Sequence, residues 1–174
     1  MQPARHVFLD PASPLEVLTA TARGMIEHNF IRAAQRAQTE LMTAVAGAGL
    51  LPEVRTRVGL FPDVPNAPND AQCRYLAGVL FGHDLVAQRG PRHRPMVALT
   101  GSLAWMTIAP GRHAVFTHLG PYDTLHLTWQ AIYCDWLPTS GETLRRAPPM
   151  EVSINSPDDV RPQDLRTEIW MPLA

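Results

Sequence analysis

Apolar and β-branched positions in the first half of the chain change from strand-like to helix-like spacing and back. Residues 15–25 carry enough β-branched side chains for a strand. Apolar residues then recur at steps of three and four, which predicts one face of a helix that Asn29 caps and that glycines end. Two strands, near 55–63 and 72–81, flank a proline-rich turn. The helical positions are Phe30, Ala34, Ala37, Leu41 and Val45.

The second half of the chain repeats this order of elements. Strands are expected near 102–108 and 113–120, then a helix, then two closing strands at 150–155 and 165–173. Pro138 is expected to end the helix, because proline lacks an amide N–H and clashes with the preceding turn. The helix begins at Asp123 or Thr124, and its apolar face holds Leu125, Ile132 and two tryptophans, Trp129 and Trp136, which fit the core first and a cleft second.

The two halves align with each other. A shift of 92 residues places Arg74 on Arg166 and superposes the two last strands without a gap. We therefore expect an α+β fold of duplicated βαββ units related by a pseudo-twofold axis, with an antiparallel sheet, two helices on one face and a central ligand cleft. The expected single domain is 1–174, with half-repeats at about 15–88 and 103–174 and a basic linker at 89–95.

Composition argues against several classes of function. A net charge of −1 gives no electrostatic footprint for nucleic acid, so we expect no direct nucleic-acid binding. All 15 basic residues are arginines, which rules out Schiff-base and P-loop lysine chemistry. The histidines have no metal-ligand spacing, and we expect neither a metal nor a cofactor.

The chain is expected to be cytoplasmic and to stay out of the membrane. No apolar run approaches the roughly 18 residues that span a bilayer. The N-terminal stretch has early prolines and only a short apolar run, unlike a signal peptide. Cys73 and Cys134 are far apart in the sequence, which indicates two buried free thiols.

The final strand places a carboxylate where a core residue would be expected. Successive strand residues point to opposite faces, so Arg166, Glu168 and Trp170 share one face. A charge inside a buried strand is costly unless it is paired or meets a ligand. Two interpretations follow: Glu168 pairs with Arg166 or Arg74 on a wet sheet face, or it lies unpaired in a groove and attracts flat or lipophilic cations.

Three segments carry a family resemblance. They read "APGRHAVFTHLGPYDTLHLTWQAIYCDWLPTSG", "APPMEVSINSP" and "RTEIWMPL". They resemble the C-terminal half of gyrase-inhibitor-like (GyrI-like) small-molecule-binding domains, which also serve as effector-binding domains of AraC-type and MerR-type regulators. The resemblance covers roughly 55–174, and it implies a duplicated βαββ fold that holds hydrophobic, often cationic compounds between its halves.

The resemblance also implies a set of binding residues. It places Glu168 at the cleft centre, on the last strand. Two departures from the family pattern bear on the ligand: Leu76 replaces an acid in the first-half strand, and His113 stands where a tyrosine is frequent. The expected ligand-binding residues are Glu168, Trp170, Tyr75, Phe61, Trp105, Tyr133 and His118.

Three functions compete. The first is a free-standing binding protein for lipophilic, cationic compounds, a multidrug-type binder, since 174 residues leave no room for a helix-turn-helix beside the duplicated unit. The second, implied by the resemblance, is a hydrolase that opens strained, electrophilic cyclopropane-bearing compounds with Glu168 as its acid or base. The third is an interaction module for gyrase or another macromolecule, and a protein partner or a homodimer stays open.

Overall fold

A computed structural model describes all 174 residues and has an α+β architecture. Eight antiparallel strands form one curled, half-barrel sheet, and two helical segments pack on its outer face. The strands are β1 (Arg5–Leu9), β2 (Leu15–Arg23), β3 (Val54–Leu60), β4 (Arg74–Phe81), β5 (Ala104–Ile108), β6 (Gly111–Leu119), β7 (Met150–Ser153) and β8 (Arg166–Pro172). The helices are α1 (Ile31–Gly47), α2 (Leu125–Ala131) and α3 (Leu137–Ser140), with a π-helical turn at Ile132–Trp136.

The order of strands in the sheet is symmetric about its centre. The order is β1-β6-β8-β7-β3-β4-β2-β5, so β3 and β7 form the central pair and the flanking strands mirror one another. On this pair Gly59 lies opposite Glu151, which is also its counterpart under the shift of 92 residues. The pseudo-twofold axis therefore passes through this residue pair. The expected duplication is confirmed, while the boundaries of the halves stay a prediction.

The two faces of the sheet bury different clusters. The concave face is filled by aliphatic side chains from seven strands, β1 to β7, and by Trp170 of β8. On the convex face, α1 covers β2 and β4 through alanine and leucine, which lets the helix approach closely. The second helical segment covers β6 and β8 through Leu125, Ile132 and Trp136. Between the two helices, the convex face is formed by the central strands β3 and β7.

The second helical segment does not end where the sequence predicted. It continues through Pro138 to Ser140 and ends at Gly141, which adopts φ 74°. A proline in a helix would clash with the carbonyl four residues earlier, here that of Cys134. That residue lies in the π-helical turn, whose wider ring accommodates the proline. Pro138 therefore deforms the helix and does not stop it.

Two further expectations need correction. The N-terminal stretch forms β1, which pairs with β6 and directs Val7 and Leu9 into the concave core. Sequence analysis had placed no strand there. Cys134 is exposed on the π-helical turn, whereas Cys73 is buried as expected. Cys134 is exposed because the π-helical turn directs Ile132 and Trp136, and not the cysteine, toward the sheet.

The basic linker lies along the surface without regular structure. Arg94 donates to Glu16 at 2.6 Å and lies over the ring of Trp105. His93 approaches Glu53 at 3.4 Å. These contacts hold the linker against the first half of the chain. No helix is long and apolar enough to cross a membrane.

Candidate functional site between the two helices

Glu168 is buried, but it is not unpaired. Its carboxylate accepts two hydrogen bonds from Arg5 Nη2, each 2.7 Å long, and the residue is 5% exposed. The expectation of an unpaired carboxylate is therefore wrong, and so are the two partners considered for it. Arg74 pairs with Asp63 at 2.7 Å, and Arg166 is exposed. Glu168 fastens β1 to the interior of the sheet, and its contact with a ligand stays a prediction.

The face that Glu168 shares with Trp170 is filled by core side chains. Trp170 is fully buried in the concave cluster. Gly78 of β4 leaves no space on this face either, because a Cβ on it would lie 2.6 Å from Val17 and 2.8 Å from Val58. The groove expected on this face is therefore occupied by aliphatic packing.

A different carboxylate lies between the helices. Glu151, on β7, points to the convex face, the same face as its neighbour Ile169 of β8. Its Oε1 accepts a hydrogen bond of 2.6 Å from Trp129 Nε1. Protein atoms surround the carboxyl deeply and burial raises its pKa to about 7, while the indole donor opposes the rise. The residue as a whole is only partly buried.

Aromatic rings form a continuous row that includes Trp129, the donor to Glu151. Phe61 is central: its ring centroid lies 5.0 Å from that of Trp129 and 5.5 Å from that of Tyr75, both edge to face. Phe30, just before α1, lies 5.7 Å from Phe61 on the outer side. Tyr133 stacks on Trp129 at 6.0 Å and is 42% exposed. The row runs from one helix across the central strands to the other.

The glycine opposite Glu151 makes room for one of these rings. A Cβ on Gly59 would lie 2.6 Å from Tyr75 Oη, so the tyrosine ring covers the glycine backbone. Burial and the nearby Glu151 carboxylate raise the pKa of Tyr75, which keeps its phenol neutral. The same two causes raise the pKa of Tyr122. No arginine pairs with Glu151, in contrast to Glu168.

The arrangement combines an acidic group with aromatic contact area. A carboxyl that titrates near neutral pH offers a negative charge inside a low-dielectric site. The five rings give contact area to flat or lipophilic molecules, and their electron-rich faces attract positive charge. Indole N–H and phenol O–H groups add directional contacts.

Comparison with known proteins places the chain in a family. The family model of the GyrI-like small-molecule-binding domain matches residues 11–174. The chain belongs to the GyrI-like small-molecule-binding domain family. A curated relative, the probable transcriptional regulator YgiV of Escherichia coli K12, is 41% identical over 64 residues. That alignment covers 37% of this chain and 40% of YgiV.

Solved GyrI-like structures share the fold at low identity. The EcmrR–DNA complex aligns at TM-score 0.64 and 15% identity, over 97% of this chain and 55% of EcmrR. SAV2435 bound to tetraphenylphosphonium aligns at TM-score 0.57 and 15% identity, over 100% of this chain and 94% of SAV2435. A hydrolase from Listeria innocua aligns at TM-score 0.56 and 12% identity, over 99% of this chain and 92% of the hydrolase. These likenesses show the fold.

The structure brings together some of the predicted GyrI-like site residues and separates others. Tyr75, Phe61 and Tyr133 belong to one row of rings with Trp129, the residue that donates to Glu151. Trp105 instead packs against Phe81 at the sheet edge. His118 is buried under the second helical segment, where its ring nitrogens meet Thr128, Thr124 and the carbonyl of Pro121. No three His, Cys, Asp or Glu side chains lie close enough to hold a metal ion.

Sequence reasoning missed Glu151, although a signal for it was available. The shift of 92 residues places Glu151 on Gly59, an acid on a residue without a side chain. In a duplicated fold, a residue paired with its own counterpart lies on the symmetry axis, where the halves meet. Trp129 was interpreted as core first and cleft second, and its indole N–H in fact contacts the cleft carboxylate.

Proposed function

We infer that this protein binds lipophilic cations in the cleft between α1 and the second helical segment, with Glu151 as the counter-ion. The observation that carries the proposal is a deeply set carboxyl that has one neutral donor, Trp129, and no arginine partner. A cation placed there would supply the opposite charge that the protein itself does not provide. The aromatic row would supply the contact area.

Entry of a ligand requires the aromatic rings to part. The ring centroids of Phe61 and Trp129 lie 5.0 Å apart, edge to face, and Trp129 is the ring that donates to the carboxyl. A ring-bearing cation would separate them and exchange the ring–ring contact for ring–ligand contacts. Tyr133 is well placed at the solvent side to stack on an entering molecule, since its outer face is exposed. The π-helical turn next to it, a type of distortion frequent at functional sites, gives this wall an irregular backbone.

A neighbour of the same fold supports the ligand class. SAV2435 is described bound to tetraphenylphosphonium, a lipophilic monocation. We propose the same ligand class for this chain because its cleft has a single unpaired acid and several rings.

The test is titration with tetraphenylphosphonium at about pH 8, followed by tryptophan fluorescence. Glu151→Gln keeps the size of the side chain and an acceptor for Trp129, but removes the charge. We expect it to weaken binding at least tenfold, since a partly buried charge pair contributes about 1.5–3 kcal/mol. Glu168→Gln is the matched control and should bind normally. Equal affinity of wild type and Glu151→Gln would reject the proposal, and loss only in Glu168→Gln would place the site on the concave face.

A hydrolase is the second candidate, and one observation favours it. A carboxyl with a pKa near 7 is matched to general acid or base work at neutral pH. Solved neighbours of this fold include a protein described as a hydrolase. In this version Glu151, in place of Glu168, would activate a water for attack on a strained electrophilic ring. Product formation from a cyclopropane-bearing electrophile, lost in Glu151→Gln, would support it. No turnover above that of buffer would reject it.

A further inference from the structure

His118 lies under the start of the second helical segment, away from Glu151. It faces this segment from the end of β6 and is 6% exposed. Its Nδ1 lies 2.8 Å from Thr128 Oγ1, and its Nε2 lies 3.2 Å from Thr124 Oγ1 and 3.3 Å from the carbonyl oxygen of Pro121. One imidazole therefore connects the loop before the segment with two residues that are one helical turn apart.

The hydrogen bonds around this imidazole determine its tautomer. Thr124 donates its hydroxyl proton to the carbonyl of Pro121 at 2.8 Å, so the threonine oxygen is an acceptor toward His118. The carbonyl is an acceptor as well, and Nε2 therefore carries the ring proton. Nδ1 then accepts from the hydroxyl of Thr128. Both ring nitrogens are satisfied by the chain above them.

The contact with Thr128 leads to the proposed cation site, because Trp129 is the next residue of α2. Thr128 points to His118, while Trp129 points across to Glu151 and donates to its Oε1 at 2.6 Å. A seven-residue helix has little stability of its own, and neither turn at its start carries a side-chain cap. Apolar packing is non-directional, whereas hydrogen bonds fix a direction. The rotation of α2 about its axis therefore depends on the bonds to the imidazole.

The first half of the chain has no such bridge. His118 lies opposite Thr167 of β8. The counterpart of Thr167 under the shift of 92 residues is Tyr75, which lies opposite Ala22 of β2. Ala22 is therefore the counterpart of His118 in the sheet, and its methyl group makes no hydrogen bond. The polar bridge occurs in the half of the chain whose helix donates to the acid.

We propose that His118 is a positioning residue of the cation site: through Thr128 it sets the orientation of α2 and so holds the Trp129 indole on the Glu151 carboxylate. Its effect on ligand binding rests on the proposed function. The hydrogen bond that it controls is present in the free protein, and His118 acts on a ligand only through that bond.

The side-chain ¹³C shift of Glu151, followed by NMR against pH in the free protein, tests this role without a ligand. The Trp129 hydrogen bond lowers the pKa of Glu151, so its loss in His118→Phe should move the midpoint upward by about one pH unit. Thr128→Val, which keeps the shape of the side chain and removes its hydroxyl, should give the same result even if His118→Phe does not fold. Thr128→Ser is the matched control and should keep the wild-type midpoint. An unchanged midpoint in Thr128→Val would overturn the positioning role, whatever the stability of the variants.

A double variant shows whether His118 acts through the indole. In Trp129→Phe the donor is already absent, so the addition of His118→Phe should leave the Glu151 midpoint where Trp129→Phe alone places it. A second upward shift of similar size in the double variant would contradict the route through Trp129.

Binding of tetraphenylphosphonium separates this inference from the proposed function. At pH 7 His118→Phe should bind this cation about fivefold more weakly than wild type, because a midpoint about one pH unit higher leaves less of the Glu151 carboxyl ionised. Binding that depends on Glu151 but not on His118, with an unmoved midpoint, would reject the positioning role alone. A moved midpoint in a protein that does not bind the cation would reject the cation site alone.

Discussion

Gly59 and Glu151 lie opposite each other on the central strand pair, and each is the counterpart of the other in the duplicated sequence. One residue has no side chain and the other has an acid. The tyrosine ring of Tyr75 covers the glycine, and the indole of Trp129 donates to the acid. The two halves therefore differ at the pseudo-twofold axis: one carries an acid bound by an indole, and the other carries a glycine covered by a phenol ring.

Binding of a lipophilic cation should depend on pH through Glu151. The carboxyl has a pKa of about 7 in the free protein, and only its ionised form attracts the cation. The association constant for tetraphenylphosphonium, which does not titrate, should rise about tenfold between roughly pH 6 and pH 8. Calorimetry at several pH values measures it. A flat profile for Glu151→Gln is the control, and a flat profile for wild type contradicts the assignment.

Glu151→Gln should stabilise the free protein at alkaline pH. Because the folded-state pKa lies above the ordinary value of 4.5, the folded protein holds the proton more tightly, and stability falls as pH rises from about 4.5 to about 7. Removing the titration should add on the order of 2 kcal/mol at pH 8 and little at pH 4. Urea unfolding at both pH values measures this, and equal gains at pH 4 and pH 8 would argue against a buried titrating carboxyl.

Trp129→Phe should shift the pH profile upward. The indole N–H donates to the Glu151 carboxylate and holds its pKa down against the effect of burial. Phenylalanine keeps an aromatic ring in the row but removes that donor. The midpoint of the binding profile should therefore move above pH 7. An unchanged midpoint would mean that the hydrogen bond does not act on the carboxyl in solution.

Glu168→Gln should loosen the N-terminal strand and leave cation binding intact. The contact of Arg5 Nη2 with both carboxylate oxygens joins β1 to β8 across the concave face. Its loss should cost about 1–3 kcal/mol, less than for a fully buried pair because Arg5 is partly exposed. Hydrogen exchange of amides in β1 should accelerate before that of β8. Unchanged exchange in β1 would show that the pair contributes nothing to holding this strand.

Gly59→Ala should disrupt the cleft. The added Cβ would lie 2.6 Å from Tyr75 Oη, so the tyrosine ring has to move. We expect a loss of about 1–3 kcal/mol in stability and weaker cation binding. Gly47→Ala is the matched control: a Cβ there meets nothing within 4 Å, and alanine favours the helix. If both variants behave alike, Tyr75 does not depend on Gly59 for its position.

Local patterns predicted the fold better than they predicted the site. Helical spacing identified α1, and alternation identified the last strand, because each reports which face of an element is buried. The strand Arg5–Leu9 was missed because it is short and its three apolar residues are consecutive, so the sequence shows no alternation between faces. The helix end at Pro138 was misplaced because a π-helical turn absorbs the proline, and spacing does not reveal such a turn.

The site depended on long-range pairing that local patterns do not report. Glu168 looked unpaired because Arg5, its partner, is 163 positions away in the sequence. Parity placed Glu168 and Trp170 on one face correctly, but did not show that aliphatic side chains from seven strands fill it. Glu151 lies in a short strand beside Met150, and no local pattern distinguishes it. Only the symmetry of the duplication, applied residue by residue, points to it.

The central claim is that the Glu151 carboxyl titrates near neutral pH and becomes the counter-ion of a bound cation. Its side-chain ¹³C chemical shift, followed by NMR from about pH 4 to pH 9 with and without tetraphenylphosphonium, measures this directly. We predict a midpoint of about 7 in the free protein that falls by at least one pH unit when the cation is present. A midpoint that stays the same with and without the cation would contradict the account.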